Sequence, residues 1–227
     1  MKPFSFNAEA NAKLVERYPQ ANGFAYSFKA LPKDGRDAIV RSFITEGIPY
    51  AFQQTPLLYE MARDFVAGQL GIEARQVTMI GSARIGYSLA PPPSYGLPFG
   101  AESDLDFTVF SKTLFDGLVS DFSYWERDLA TGQMKRTGAS RERFWDENLQ
   151  LVPQNIKRGF IDPYKIPNNY DGARNISQTL WTLQEKLKAT EGAPKARHVS
   201  MRVYENWRAY ARQQSLNLGH CLRNVKV

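Results

Sequence analysis

Residues Val77–Phe110 read VTMIGSARIGYSLAPPPSYGLPFGAESDLDFTVF, and this stretch decides the fold. It opens with a short apolar run, Val77–Ile80, which stops at Gly81-Ser82. It closes with Asp104–Phe110, in which acidic and apolar residues alternate before the run becomes apolar. Both ends have the length and composition of strands. The stretch therefore predicts two strands joined by a turn, a short helix and a long loop.

The second predicted strand places two carboxylates side by side. Alternation along an extended chain sends Asp104, Asp106 and Thr108 to one face and the intervening apolar residues to the other. The Cα atoms of the two aspartates are then about 6–7 Å apart. Like charges this close repel each other unless a cation lies between them. Since Mg²⁺ is the hard cation suited to carboxylate oxygens and substrate phosphates, the pair predicts a magnesium site.

The turn after the first predicted strand indicates a phosphate site. Gly81 lets the chain turn with its N–H groups exposed, and Ser82 adds a hydroxyl at the start of a short predicted helix, Ala83–Leu89. Arg84 lies where its guanidinium could reach a triphosphate, with a surface salt bridge as the alternative. Either motif alone is common in proteins, so it is their conjunction that favours a functional site.

In this order the two motifs resemble the signature of the DNA polymerase β-like nucleotidyltransferase superfamily. That signature is an apolar residue, Gly-Ser or Gly-Gly, a gap, and then acid-apolar-acid-apolar. The matching residues are Ile80-Gly81-Ser82 and Asp104-Leu105-Asp106-Phe107, with Gly86 and Ser103 fitting variants found in small bacterial members. The gap is longer than in minimal members, and its proline run, Pro91-Pro92-Pro93, predicts a stiff surface loop at the rim of the pocket.

The resemblance implies an α/β (α+β) fold, in which a small mixed sheet is flanked by helices and followed by a mainly helical C-terminal part. It implies a Mg²⁺-dependent nucleotidyltransferase that moves an NMP from an NTP such as ATP to a protein, RNA or nucleotide acceptor. The metal ligands and catalytic residues would be Asp104 and Asp106. The nucleotide-binding residues would be Gly81, Ser82, Arg84 and Ser103.

The superfamily also uses a third carboxylate from a later strand, and this residue is harder to find. The third predicted strand, Val199–Tyr204, has no acid on its polar face. Glu205, one residue beyond it, is the nearest candidate for the catalytic role, with Asp162 and Asp171 as alternatives. Three functions therefore stay open: an active transferase, a nucleotide-binding protein with weak or no catalysis, and a basic RNA-binding module.

Composition and charge bound these hypotheses further. The 227 residues carry a net charge of +6. This charge is uneven, because residues 151–227 contain 13 Lys or Arg against five Asp or Glu. A basic half suits either an NTP or a nucleic acid.

The single cysteine excludes an intramolecular disulfide. No apolar run approaches the roughly 20 residues of a membrane helix, and Met1-Lys2-Pro3-Phe4 does not resemble a signal peptide, so we expect a cytoplasmic protein without a membrane partner.

The remaining patterns predict three segments. Residues 1–55 form an arm that packs on the core, with turns at Asn22-Gly23 and elsewhere. Residues 56–135 form the nucleotidyltransferase core, and residues 136–227 form the basic helical region that completes the sheet. Apolar spacing predicts helices over Pro56–Leu70, Lys112–Leu129 and Trp207–Val225. It predicts two more helices, one over 136–151 that ends before Pro153 and one that starts at Asp171. The residues between these two helices, 155–170, are expected to form a loop.

Overall fold

A computed structural model describes residues 7–135 and 138–226. Within them, four strands form one mixed sheet in the order β1-β2-β4-β3. The central strand β2 runs antiparallel to β1 and parallel to β4, and β3 runs antiparallel to β4. The strands are β1 (Val77–Ile80), β2 (Asp104–Phe110), β3 (Phe160–Ile161) and β4 (His198–Tyr204). Helices surround this sheet, so the protein belongs to the expected α+β class.

The helices account for most of the chain. The N-terminal group is α1 (Ala8–Ala12), α2 (Ala21–Ala30) and α3 (Lys33–Ile39), which a π-helical turn continues over Val40–Thr45. The others are α4 (Pro56–Leu70), α5 (Ser82–Ile85), α6 (Lys112–Ala130), α7 (Ala139–Arg158), α8 (Asp171–Ala189) and α9 (Trp207–Cys221). Of the described helices, none has the combination of length and apolar composition needed to cross a membrane.

One face of the sheet is wholly apolar and carries the larger core. Leu105, Phe107 and Val109 of β2 are buried on this face, as alternation along the strand predicts. The neighbouring strands add side chains of the same kind, and α4, α6 and α8 pack over them. The aspartates must therefore point to the opposite face.

The opposite face is covered at one end and open at the other. A second apolar cluster, which includes Phe28 of α2 and Tyr210 of α9, covers the end where Tyr204 lies beside Phe110. The other end of the same face begins with Asp104, which lies opposite the exposed His198 in the parallel register. Asp104 and Asp106 therefore lie toward the open end of this face, whereas Thr108 is fully buried beneath the covering helices.

Several expectations about secondary structure were wrong. Two helices end earlier than predicted, α5 at Ile85 instead of Leu89 and α9 at Cys221 instead of Val225. Helix α7 continues through Pro153 and ends at Arg158, since Trp145 packs edge-on against Trp125 of α6 and this burial outweighs the cost of a proline in a helix. The predicted start of that helix at Arg136 lies outside the described residues. Asn22-Gly23 is helical, within α2, because Phe24 and Phe28 bury one side of that helix.

A further correction concerns the predicted loop over 155–170. Residues Phe160 and Ile161 form β3 against the end of β4, and a 3-10 turn over Pro163–Lys165 follows. The C-terminal part of the chain therefore supplies both β3 and β4, and β4 lies directly beside the strand that carries the aspartates.

Candidate functional site

The Asp106 carboxylate joins the two sequence motifs in space. Ile80 of β1 pairs with Asp106, so the turn at Gly81 lies against that side chain. A Cβ added to Gly81 would lie 3.0 Å from Asp106 Oδ2, and Gly81 has a φ of +74°. Only glycine combines this conformation with so close an approach. On the other side, Ser200 Oγ of β4 donates a hydrogen bond of 2.6 Å to Asp106 Oδ1.

Asp106 is held in a setting that disfavours its charge. Burial raises the pKa of its carboxyl group above the usual value, the hydrogen bond from Ser200 lowers it in part, and the charge of Asp104 raises it further. Its ionised form is therefore costly in the free protein. A divalent cation beside the carboxylate would relieve this cost, because it would offset both the desolvation and the repulsion by Asp104.

Asp104 already has a cation next to it. Arg197, just before β4, binds both of its carboxylate oxygens, with Nε 3.1 Å from Oδ1 and Nη2 2.9 Å from Oδ2. This hydrogen-bonded pairing raises the pKa of the Arg197 guanidinium. Its side chain is 64% exposed, so the pair is an open surface ion pair of small net strength. Arg197 is thus a weakly held cation that a metal ion could replace.

Two cavities meet at Asp106, and they differ in that a guanidinium lines one and exposed aromatic rings line the other. The first, which we call the polar cavity, has a volume of about 320 Å³. It lies between the Gly81-Ser82 turn and α9, and its hydrogen-bonding side chains are Ser82, Ser88, Arg202, Gln214 and Asn217. The start of the proline-containing loop, Leu89 and Ala90, also lines it, as expected for a loop at the rim. Hydroxyl, amide and guanidinium donors beside a carboxylate suit the phosphates of a nucleotide.

The second, which we call the apolar cavity, has a volume of about 610 Å³. It extends from Asp104 and Asp106 along the start of β4 to α8 and the turn after β3. Its walls include Tyr164, Ile176, Leu180 and Trp181. Asp106 therefore lies between a cavity that contains Arg202 and one that contains Tyr164 and Trp181.

Arg202 occupies the place on β4 where a third carboxylate was sought. It pairs with Thr108 on β2, so it lies one step from Ser200 on the face of the aspartates. Its Nε donates a 2.6 Å hydrogen bond to Asp162 Oδ1. Burial alone would lower the pKa of Arg202, but the charges and hydrogen bonds of Asp162 and Tyr204 together outweigh it and raise the pKa. Lys165 Nζ lies 3.3 Å from the other oxygen of Asp162.

Asp162 is therefore near the aspartate pair but is neutralised. It is buried and lines a cavity of about 240 Å³ together with Asp106, Ser200 and Arg202. Strand β4 contains no acid, and Arg202 lies two residues beyond Ser200, which is the partner of Asp106.

The structure does not bring Glu205 to the aspartates. Ser200 lies opposite Asp106, and Glu205 follows five residues later along the same strand direction, about 16 Å away by strand rise. Its carboxylate lies 3.5 Å from Lys112 Nζ at the far end of the sheet. The prediction that Glu205 completes the site is therefore wrong, because the strand register places it far from Asp106. The alternative Asp171 is exposed at the start of α8, where it pairs with Arg174.

Two predicted nucleotide-binding residues have structural contacts instead. Arg84 is buried, and its guanidinium donates to the main-chain carbonyls of Phe43 and Gly47 at 3.0 and 2.6 Å. It therefore holds the N-terminal segment against α5 and points away from the polar cavity. Ser103 Oγ accepts from the Gly100 N–H at 3.2 Å, which closes the turn before β2. Gly81 and Ser82 remain in the site.

The donor set fits one hard cation. The two aspartates offer carboxylate oxygens on one face of one strand, and phosphate oxygens could complete the coordination of Mg²⁺. Across residues 7–135 and 138–226, no three His, Cys, Asp or Glu side chains come together as a metal-binding group. A second metal would need a third carboxylate, and the nearest one, Asp162, is bound to Arg202.

The sequence motifs did not point to Arg197, Gln214 or Asn217 as site residues. Arg197 precedes a strand and looks like any basic loop residue, while Gln214 and Asn217 lie on a helix whose docking depends on tertiary packing. Ser200 and Arg202 gave a signal, because alternation placed both on the polar face of the third predicted strand.

Comparisons with protein-family models, curated proteins and solved structures find no match for this chain. The resemblance to the nucleotidyltransferase superfamily thus stands on the two motifs and their arrangement.

Proposed function

We propose that the protein binds a nucleoside triphosphate together with Mg²⁺ at the Asp104–Asp106 pair. One observation carries the proposal: the Gly81-Ser82 turn lies directly against the Asp106 carboxylate. A phosphate held by the Ser82 hydroxyl would then be adjacent to a metal held by the aspartates. This is the combination that the two motifs predict, and the polar cavity beside them offers further donors to the phosphates.

Electrostatics supports a metal–nucleotide complex over either component alone. The aspartates would repel a bare triphosphate, whereas Mg²⁺ would bridge the two sets of negative oxygens. Arg202, which lines the polar cavity, would add a further positive charge next to the phosphates. The expected ligand is therefore Mg²⁺–NTP, with affinity that depends on the metal.

The arrangement favours binding over efficient transfer. Two-metal catalysis needs carboxylates that hold a metal on the acceptor side as well as on the donor side. A guanidinium in the third position contributes positive charge but cannot coordinate an acceptor hydroxyl or lower its pKa as a metal would. We therefore infer that nucleotide binding is the main property of this site.

Nucleotidyl transfer is the second candidate, and the position of Asp162 favours it. Asp162 and Asp106 line the same small cavity, so release of the Arg202 contact would free a third carboxylate near the pair. Transfer of an NMP to a protein, RNA or nucleotide acceptor would then require both aspartates of β2 and Asp162. A site for Mg²⁺–NTP also agrees with the proposed cytoplasmic location.

Calorimetry with ATP, GTP, CTP and UTP, each with and without Mg²⁺, tests the main proposal. We expect binding of at least one NTP that needs Mg²⁺ and is lost in Asp106→Asn, with the circular dichroism of the variant unchanged. Absence of metal-dependent binding to all four would reject both nucleotide functions. Salt-sensitive binding to oligonucleotides without a metal requirement would instead support the RNA-binding alternative.

A radiolabelled NTP incubated with protein, RNA and nucleotide acceptors tests the second candidate. Transfer that disappears in both Asp106→Asn and Asp162→Asn would support catalysis. Tight Mg²⁺–NTP binding without transfer to any of these acceptors would support the binding function alone.

A further inference from the structure

The apolar cavity has the composition of a site for a flat, uncharged ring system. Small-molecule sites are concave, mostly apolar, about 300–1,000 Å³ in volume and supplied with a few polar groups. The apolar cavity, at about 610 Å³, falls within this range and opens directly onto the aspartates. We infer that it binds a nucleoside, the base lying against its aromatic wall. This inference rests on the proposed function only in assigning phosphates to the neighbouring polar cavity.

Two exposed aromatic side chains mark the cavity. Trp181 on α8 is 68% exposed and Tyr164 is 62% exposed, although both rings line a concave space. Within the described residues Trp181 has no aromatic ring or cation stacked on it, whereas Lys165 Nζ lies 5.9 Å from the centre of the Tyr164 ring. Exposed rings beside a pocket are suited to stacking on a base, which every base permits through its π-face.

Two amide side chains supply complementary hydrogen-bonding groups. Asn168 Nδ2 donates to Ser177 Oγ at 3.1 Å, and Gln184 Oε1 accepts from the Val199 N–H at 3.3 Å. Both amides line the cavity, and each has its second polar atom left for a ligand: an acceptor on Asn168 and a donor group on Gln184. Ser177 and Gln184 lie seven residues apart on α8, about 10 Å along the helix, so the acceptor and the donor would contact different parts of one nucleoside.

The charged side chains around the two cavities indicate which cavity holds the nucleoside and which holds the phosphates. Among the described residues that form the apolar cavity there is no lysine or arginine, and its ionisable side chains are Asp104, Asp106, His198 and Tyr164. The cations next to this cavity, Arg197 and Lys165, are paired with Asp104 and Asp162, whereas Arg202 itself lines the polar cavity. The part of the ligand in the apolar cavity is therefore uncharged, and its hydroxyl groups face the aspartates.

The nucleoside in this cavity could belong to either of two molecules. It could be the nucleoside end of the NTP whose phosphates occupy the polar cavity, since Asp106 borders both spaces. It could instead belong to a second nucleotide that presents a ribose hydroxyl to the aspartates. Both sources have the same chemistry at the cavity wall.

The test uses free adenosine, guanosine, cytidine and uridine with the full chain and no metal. We expect at least one of them to bind, as measured by calorimetry. Trp181→Ala and Tyr164→Ala should each weaken this binding by about ten-fold, the scale expected for loss of one stacking ring. Tyr124→Ala is the matched control, because Tyr124 is also exposed and carries a cation, Arg127, over its ring, but lies on α6 outside the cavity. Absence of binding by all four nucleosides, or equal binding by the wild type and both cavity variants, would overturn the inference.

Competition between the nucleoside and Mg²⁺–NTP shows which of the two molecules the bound nucleoside represents. A nucleoside that Mg²⁺–NTP displaces occupies the site of the nucleotide's own base, and one that binds alongside Mg²⁺–NTP belongs to a second nucleotide. Each proposal can fail while the other holds, because the titrations with free nucleosides contain neither metal nor phosphate. Metal-dependent NTP binding by a protein that binds none of the four free nucleosides would leave the proposed function intact and reject the nucleoside site.

Discussion

The carboxylate of Asp106 lies between the Gly81 turn and Ser200 of β4, and its charge is unfavourable in the free protein. Because the pKa of Asp106 is raised relative to the unfolded chain, the folded state loses stability as pH rises from the ordinary carboxyl value through this raised pKa. Asp106→Asn removes that loss while an amide oxygen can still accept from Ser200. At pH 7 we expect the metal-free variant to be as stable as the wild type or to melt about 2–4 °C higher.

Thermal melts at pH 7 and at a pH below the ordinary carboxyl pKa measure this effect. The advantage of the variant should vanish at the lower pH, where Asp106 is protonated in both the folded and unfolded chains. A large loss of stability at pH 7 would mean that the charge of Asp106 is needed for folding, which contradicts its role as a ligand-binding group.

Ser82 offers a hydroxyl to the polar cavity at the end of β1. Ser82→Ala should weaken Mg²⁺–NTP binding by about 1–2 kcal/mol, as expected for one hydrogen bond to a charged group. Ser123→Ala on α6 is the matched control, since its hydroxyl bonds only within its own helix, to the Val119 carbonyl. Calorimetric titration of both variants with Mg²⁺–NTP makes the comparison. Equal affinities would remove Ser82 from the site.

The turn between β1 and α5 brings the Gly-Ser motif against the aspartate motif. A substitution at Gly81 tests whether this close approach is needed for binding. Gly81→Ala should both destabilise the protein and weaken Mg²⁺–NTP binding, because the new Cβ would lie 3.0 Å from Asp106 Oδ2. Gly71→Ala is the control: Gly71 also has a positive φ, +66°, but nothing lies within 4 Å of an added Cβ.

Both variants should lose about 1 kcal/mol or more from backbone strain at positive φ. Only Gly81→Ala should also lose ligand affinity, as measured by thermal melts and calorimetry on the same samples. If Gly71→Ala weakened nucleotide binding equally, the effect would be due to general destabilisation rather than to the contact with Asp106.

The strand β4 supplies Arg202, whose partner Asp162 is buried. Arg202→Ala leaves Asp162 with Lys165 alone, so we expect a loss of about 3 kcal/mol in unfolding free energy, the scale for breaking a buried pair. The double variant Arg202→Ala/Asp162→Asn should recover part of this loss, because the unpaired charge is gone. Chemical denaturation of both variants measures the difference. A double variant no more stable than Arg202→Ala would show that the pair has little energetic coupling.

For the whole molecule, the single cysteine reports on the polar cavity. Cys221 lies at the end of α9 and lines that cavity opposite the Gly81-Ser82 turn, and burial raises the pKa of its thiol. A saturating Mg²⁺–NTP complex should slow the alkylation of Cys221, because phosphates would fill the space in front of it. The rate of iodoacetamide modification, followed by mass spectrometry at pH 8 to 9, measures this. Protection that persists in Asp106→Asn, or is absent in the wild type despite tight binding, would place the phosphates elsewhere.

The strands and helices near the motifs could be predicted from the sequence because their signals are local. The bounds of β1, β2 and α4 agree with the predictions, since Val77–Ile80, Asp104–Phe110 and Pro56–Leu70 each carry a complete periodic pattern with a defined end. Helix α7 and strand β3 could not be predicted in the same way. The first crosses Pro153 because of its packing against α6, and the second has only two residues and forms through pairing with β4.

The sequence by itself determined that Asp104 and Asp106 share one face of a strand, since side-chain alternation is a property of any extended chain. It also determined that Gly81 and Ser82 follow the preceding strand. Only the tertiary structure decided that β1 pairs with β2 so that Gly81 meets Asp106, and that β4 lies parallel to β2 with Ser200 and Arg202 beside the aspartates. Burial of the apolar face excludes a one-residue shift, but a shift of two residues would keep every face correct while placing a different residue beside Asp106. The packing of the helices over the whole sheet selects among these registers. Glu205 was excluded from the site by that register, and Arg202 was included by it.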